Sequence, residues 1–396
     1  MLRPMLLAAT MITAFPALAA DDPVPGLMKA ADVPGLAIAV IRNGKVTSVK
    51  AYGYRDTEKK LPLTTDTVMY AASLTKAAFA YAVMGLVDDK RLALDASIAN
   101  DLPKPLPEYP KYSDLAGDER WKKLTPALLL SHRSGFPNFR FWPPGKDYDA
   151  DAKLAFYQEP GATYGYSGEG INLLQFVIEN GKGVDVDTLM QQRLFKPFGM
   201  TRTGMTWRDD FADNNTVGYG PDGKAIPHKR RETARAAGSM DTTIHDYANL
   251  LAAMVRGEGL SRTAYATWLK PVVRIRSVQQ FPTMGTPDST DNDSISLGYA
   301  MGVGTFNSPR GPAFFKGGHD DGTNNVFVCL EKSRDCVLIM SNSSHAESIF
   351  PALIANTLGK TCFPWYWEGY VPYDQPGMKN QPVVPNAHPA CPRGDG

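Results

Sequence analysis

Ser73 and Lys76, in the stretch YAASLTKAAFAYAVMGLV, stand three residues apart at the head of an otherwise apolar run. On a helix that spacing puts both side chains on one side, one turn apart. A serine hydroxyl is a poor nucleophile until a neighbouring base takes its proton. Near the positive end of a helix, and buried, the charged form of Lys76 is disfavoured, so a neutral amine there can be that base. The pair also allows a plain structural account, in which Ser73 caps the helix and Lys76 snorkels to water. Two further stretches shift the weight. In PGATYGYSGEGINLLQFVIE, Tyr166 and Ser167 follow a glycine-containing turn and precede an amphipathic helix. In PAFFKGGHDDGTNNVFV, Lys316, Gly317 and Gly318 end one candidate strand. The two glycines suit a strand edge on which a substrate lies close.

The elements that must position these groups are legible in outline. Around Ser73, the residues Ala77, Phe79, Ala80, Ala82, Val83 and Leu86 predict a helix with an apolar face. GLAIAVIRNGKVTSVKAYGYRD predicts a hairpin, two β-rich runs around the turn signal Asn43-Gly44. SLGYAMGVGTF, PAFFKGG, NNVFVCLE and CVLIMSN predict further strands, and HAESIFPALIANTLG a terminal helix. The middle is mostly helical, with LTPALLLSHRSG, GINLLQFVIENG, VDTLMQQRLFKPFG and TIHDYANLLAAMVRG. The expected class is α+β, an antiparallel sheet made from N- and C-terminal segments, flanked by helices, with a mostly helical insertion. Expected boundaries are a sheet domain over 20–75 and 295–360, a helical domain over 76–294 and a Pro-rich tail over 361–396. Phe136–Tyr148 concentrates aromatics in a loop that either lines a cleft or caps the helical part. Pro282–Ser294 reads as a polar, mobile loop without a role.

Composition is that of a globular protein, 43% hydrophobic and 10% aromatic. Residues 1–19 read as an export signal: Arg3, an apolar run from Met5 to Leu18 broken by Pro16, and the small-residue site Ala17-Leu18-Ala19. This predicts a periplasmic or secreted protein with no stable membrane anchor. The formal net charge is +1, and loss of Arg3 makes the chain neutral, so no electrostatic footprint for nucleic acid is present. Cys329, Cys336, Cys362 and Cys391 lie in the last fifth of the chain. Two strands around a polar turn favour Cys329–Cys336, which leaves Cys362–Cys391 to tie down the tail.

Taken together, Ser73-Leu74-Thr75-Lys76, Tyr166-Ser167-Gly168 and Lys316-Gly317-Gly318 resemble the S-x-x-K, Y-x-N and K-T-G or H-x-G motifs of the serine β-lactamase and penicillin-binding-protein superfamily. The likeness is to its class C-like branch, which also holds DD-peptidases, D-aminopeptidases and carboxylesterases. It runs from the first hairpin to the final helix, and LLLSHRSGFP and RAAGSMDTTIHDYANLL also look like family segments. The resemblance implies an acyl-serine intermediate on Ser73, with Lys76 moving protons and Tyr166 a second proton shuttle where Lys76 and Lys316 favour its phenolate, and with Lys316 orienting Tyr166 or binding a substrate carboxylate. It places the oxyanion between the backbone N–H groups of Ser73 and His319, each donor worth roughly 3 kcal/mol of barrier. It implies no cofactor and a small-molecule acyl substrate. Gly168 departs from the family's asparagine and cannot reach a substrate amide; Asn172 replaces it only if the helix turns it inward. The expected activity is therefore an esterase or amidase, ahead of a β-lactamase or DD-peptidase. A non-catalytic binder of wall fragments or of a partner is the reading of another class. His132 reads as a packed structural residue, His319-Asp320-Asp321 as no metal site, and HKRRETAR as a solvated face.

Overall fold

A computed structural model describes residues 22–391; the export signal expected over 1–19 lies outside them. The first strands, β1 (Gly35–Arg42) and β2 (Lys45–Asp56), form the expected hairpin. Asn43 and Gly44 both have positive φ, +48° and +73°, the turn whose twist matches that of the strands. A short β3 (Leu61–Pro62) pairs with β2. The remaining strands of this sheet come late in the chain: β4 (Val273–Arg274), β5 (Gly298–Tyr299), β6 (Gly304–Ser308), β7 (Gly311–Asp320), β8 (Thr323–Leu330) and β9 (Asp335–Ser341). Among the described residues they form one antiparallel sheet in the order β3-β2-β1-β9-β8-β7-β6-β5-β4. N-terminal β1 thus pairs directly with C-terminal β9, as the class of fold requires. Val273–Arg274, from the mostly helical stretch, adds the outermost strand.

Strand alternation sends successive side chains to opposite faces. In β9, Cys336, Leu338 and Met340 join a core with the helices on one face, and Val337 and Ile339 join a second core on the other. Both faces are covered, so CVLIMS reads as a continuous apolar run. The first core holds helices α2 (Leu74–Asp88), α3 (Gly168–Lys182) and α4 (Ile244–Arg256). The second holds α5 (Phe350–Leu358), the earlier α1 (Pro23–Ala30) and a C-terminal strap carrying Trp367 and Tyr370. The single apolar face expected for α2 is an understatement, because every residue from Leu74 to Leu86 is buried, Lys76 included. LTPALLLSHRSG makes only a five-residue helix, Pro126–Leu130, which ends before His132 at φ +55°.

The strap is no loose tail. Cys362–Cys391 closes it and Cys329–Cys336 bridges β8 and β9 at directly opposed positions. Asp291 accepts from the His388 and Ala390 amides, and the Gln280 amide donates to Trp367 O at 2.8 Å. The loop expected to be mobile is therefore stitched to the strap. No helix among the described residues is long and apolar enough to cross a membrane.

Candidate active site

Ser73 occupies the N-cap of α2, yet its side chain makes no capping bond. The preceding Ala72 has φ +47°, a left-handed conformation that costs a non-glycine residue about 1 kcal/mol. Thr75 Oγ1 donates to Ala72 O at 2.6 Å and pins that turn. Ser73 Oγ is left for Lys76, whose Nζ lies 2.9 Å away. Lys76 does not snorkel: it is 2% exposed, and its Nζ also donates to Ala237 O. Burial, joined by nearby Lys316, holds its ammonium below the ordinary lysine range against the opposite pull of Tyr166. The neutral form of this amine is therefore easier to reach than that of a solvated lysine.

Tyr166 arrives from the turn before α3, which Ser167 caps by accepting from Gly170 N at 2.9 Å. Lys316 Nζ donates to the Tyr166 hydroxyl at 3.2 Å and to Gly317 O at 2.8 Å. Lys76 and Lys316 lie 5.0 and 4.8 Å from the centroid of the Tyr166 ring. Burial alone pushes this phenol up, but Lys316 and then Lys76 pull it down further, and hydrogen bonding to Ser73 helps. The result is a phenol lowered to about 8. Beneath it lies His132, fully buried, its ring 4.3 Å from that of Tyr166 and its Nδ1 accepting from Ser167 N at 3.1 Å. Burial, with Lys316 and Lys76 adding to it, keeps this imidazole neutral. His132 is packing beneath the phenol, as its sequence context suggested.

The KGG strand passes directly over the helix. A Cβ on Gly318 would lie 2.9 Å from Leu74 N and 3.0 Å from Ser73 N, so only glycine permits the approach. Pro312 O accepts from Glu331 N. Antiparallel alternation then turns the backbone of the even-numbered residues of β7 toward β8. The backbone groups of Gly317 and His319 face the other edge, which β6 leaves open because its pairing ends at Phe315. The Ser73 and His319 amides therefore border the same opening. The His319 side chain is half-exposed and packs against Phe281, whose ring also meets that of Tyr166.

A cavity of about 650 Å³ covers Ser73, Lys76, Tyr166 and residues 316–319. The structure thus gathers every residue singled out from sequence at one opening, His319 through its backbone. It also adds residues that sequence reading left aside. Phe139, Phe141 and Trp142 line the cavity, so the aromatic loop borders a cleft. Asn138, from that loop, accepts from Gly168 N at 2.9 Å, and its Oδ1 lies 3.0 Å from where a Gly168 Cβ would be. An asparagine is therefore next to the place where Gly168 lacks one. Asn172 does turn inward, but it accepts from Ala237 N at 3.2 Å and so steadies the carbonyl that holds Lys76. From HKRRETAR only Arg235 reaches the cavity; His228 and Arg231 are pinned on buried Asp241. Glu368, from the strap, also lines it. No spacing rule would have found Asn138 or Glu368, because each is far from the motifs in sequence.

A family profile described as Beta-lactamase matches residues 20–358. The chain belongs to the beta-lactamase family. This is a family of serine hydrolases, in agreement with the resemblance carried by Ser73, Tyr166 and Lys316. Among curated relatives, a D-aminopeptidase of Gluconobacter oxydans is 26% identical over 186 residues, 47% of this chain and 35% of the relative. The unguisins hydrolase of Aspergillus campestris is 26% identical over 247 residues, 57% of this chain and 44% of the relative. The match spans less than half the length of either relative. Of solved structures, a penicillin-binding protein homologue from Pyrococcus abyssi superposes with a TM-score of 0.68 at 21% identity, covering 88% of this chain and 78% of that one. A class C beta-lactamase gives 0.63 at 17% identity, covering 82% and 90%. At these identities the structural likeness establishes the fold, a mixed α/β architecture around a large antiparallel sheet.

Proposed function

We propose that this protein is an exported serine hydrolase that cleaves ester or amide bonds through an acyl-Ser73 intermediate. The observation that carries the reading is the 2.9 Å contact between Ser73 Oγ and a buried Lys76 Nζ, with Tyr166 braced between two lysines. As Ser73 Oγ attacks the acyl carbon, its proton passes to Lys76 or the Tyr166 phenolate, and the same groups return it to the leaving atom. The amides of Ser73 and His319 hold the oxyanion. Water then releases the acyl group by the reverse sequence. Lys316 sets the position and charge of Tyr166.

An ester or amide substrate ranks ahead of a β-lactam or a D-Ala-D-Ala peptide. Lys316 is 3% exposed and already has two acceptors, so it offers little to a substrate carboxylate. Two disulfides support export, since such bonds persist in oxidising compartments. Intact mass after exposure to a fluorophosphonate and to short p-nitrophenyl esters tests the reading. One acyl or phosphonyl adduct is expected on the native protein and none on Ser73→Ala; an unlabelled native protein would make it a binder. A chromogenic cephalosporin turned over faster than the esters would reverse the ranking.

A further inference from the structure

Glu368 comes from the C-terminal strap, outside every motif, and reaches the catalytic cavity from beneath the open edge of β7. Its Oε2 lies 2.7 Å from where a Gly317 Cβ would be, so the glycine makes room for the carboxyl. The residue is 9% exposed, and no cation pairs with it within 4.0 Å among the described residues. Its polar company is Tyr370 and the Gln280 amide, the latter 3.5 Å away. Beside it stands a second carboxyl, Glu347, whose buried Oε1 has no hydrogen-bond partner and lies 3.6 Å from His319 Nδ1, an imidazole that burial and then Lys316 hold below its ordinary range and so favour as neutral. A buried carboxyl without a countercharge is costly and is found where a ligand or a reaction needs it.

We propose that Glu368, backed by Glu347, is a subsite for a primary ammonium group on the substrate. The subsite lies along the Lys316–His319 edge and selects amine-bearing esters or amides. The inference rests on the reading of Ser73 as the acylated residue and names the substrate class for it. Without a cation, burial holds both acids up, Glu368 to about 7 and Glu347 to about 8, Lys316 and Lys379 respectively offsetting part of this. An arriving ammonium supplies the missing charge and lets the carboxyl ionise. A substrate carboxylate in the same place would lie against two acids, and each would repel it once ionised.

The test uses matched substrate pairs at neutral pH. Alanine p-nitroanilide against its N-acetyl form places the amine on the acyl side. 4-(Aminomethyl)phenyl acetate against 4-methylphenyl acetate places it on the leaving group. In one pair the native protein should show at least a tenfold higher kcat/KM for the amine-bearing member. In Glu368→Gln that ratio should fall toward one, while Glu368→Asp should keep part of it. An equal kcat/KM within both pairs, or a ratio that Glu368→Gln leaves intact, overturns the proposal. Benzylammonium chloride gives a readout that needs neither turnover nor a variant. It should bind the native protein at least tenfold more tightly than benzyl alcohol, and equal binding overturns the subsite. Should Ser73 be labelled by fluorophosphonate while benzylammonium fails to bind, the hydrolase stands and the subsite falls. Should benzylammonium bind while Ser73 resists every acyl donor, the subsite stands and the hydrolase reading falls.

Discussion

At the residue scale the working part of the molecule is a phenol held between two ammonium groups. Tyr166, lowered to about 8, gains its phenolate as pH rises through that value, so the base is present above it and absent below. The kcat/KM for a neutral ester should rise with pH through about 8 and then level. Tyr166→Phe should lose that limb and about two orders of magnitude in rate; a limb that survives the substitution assigns the base to Lys76. Lys316 is the largest downward influence on this phenol. Replacing it, as in Lys316→Met, should move the limb upward, with kcat falling more than KM changes. A Lys316 that served chiefly to bind a substrate would instead raise KM and leave the limb where it was.

At the scale of elements, the site exists because three segments cross at the N-terminus of α2. Met69–Tyr70 pairs with Asp241–Thr242 ahead of the helix, and Ala71 N donates to Met240 O. This brings Ala237 O to Lys76. Asn325 of β8 donates to Tyr70 O at 3.0 Å, and Gly318 of β7 rests on the first turn. A methyl group at Gly318 would meet backbone atoms, which cannot swing aside as a side chain can. Gly318→Ala should therefore cost about 1–3 kcal/mol in urea unfolding. Even in folded protein it should lower kcat roughly 100-fold, because the Ser73 and His319 amides would be pushed apart. A variant with native stability and activity would show that the strand does not need to lie this close.

For the whole molecule, the sheet is closed by its two chain ends, and the strap past residue 360 completes the cavity wall. Cys362–Cys391 has a sequence separation of 29, and removing such a link costs about 2–4 kcal/mol in the chain-entropy account. The double variant Cys362→Ser with Cys391→Ser should show faster amide exchange across Trp365–Tyr370. Exchange in β1 and β9, which hold the centre of the sheet, should change little. Equal acceleration in those strands would mean that the strap unfolds only with the whole protein.

Much of this was legible in one dimension, wherever the physics is local. The Asn43-Gly44 turn, the continuous apolar run of β9 and the S-x-x-K spacing each depend on neighbours within a turn or a strand. The order of Ser73-Leu74-Thr75-Lys76, Tyr166-Ser167-Gly168 and Lys316-Gly317-Gly318 then indicated the family, and strand-like runs at both ends indicated the antiparallel sheet. Other features depend on contacts that no local rule describes. Only the fold shows Asn138 beside Gly168, Asn172 supporting the carbonyl that holds Lys76, and Glu368 under Gly317. These pairs are 30, 65 and 51 positions apart, and proximity across such distances is set by how the cores close. The chain itself specified which side chains can exchange a proton. Packing decided how readily each carries charge, because the two lysines outweigh burial at Tyr166 and lower its phenol, whereas burial outweighs Lys316 at Glu368 and raises its carboxyl.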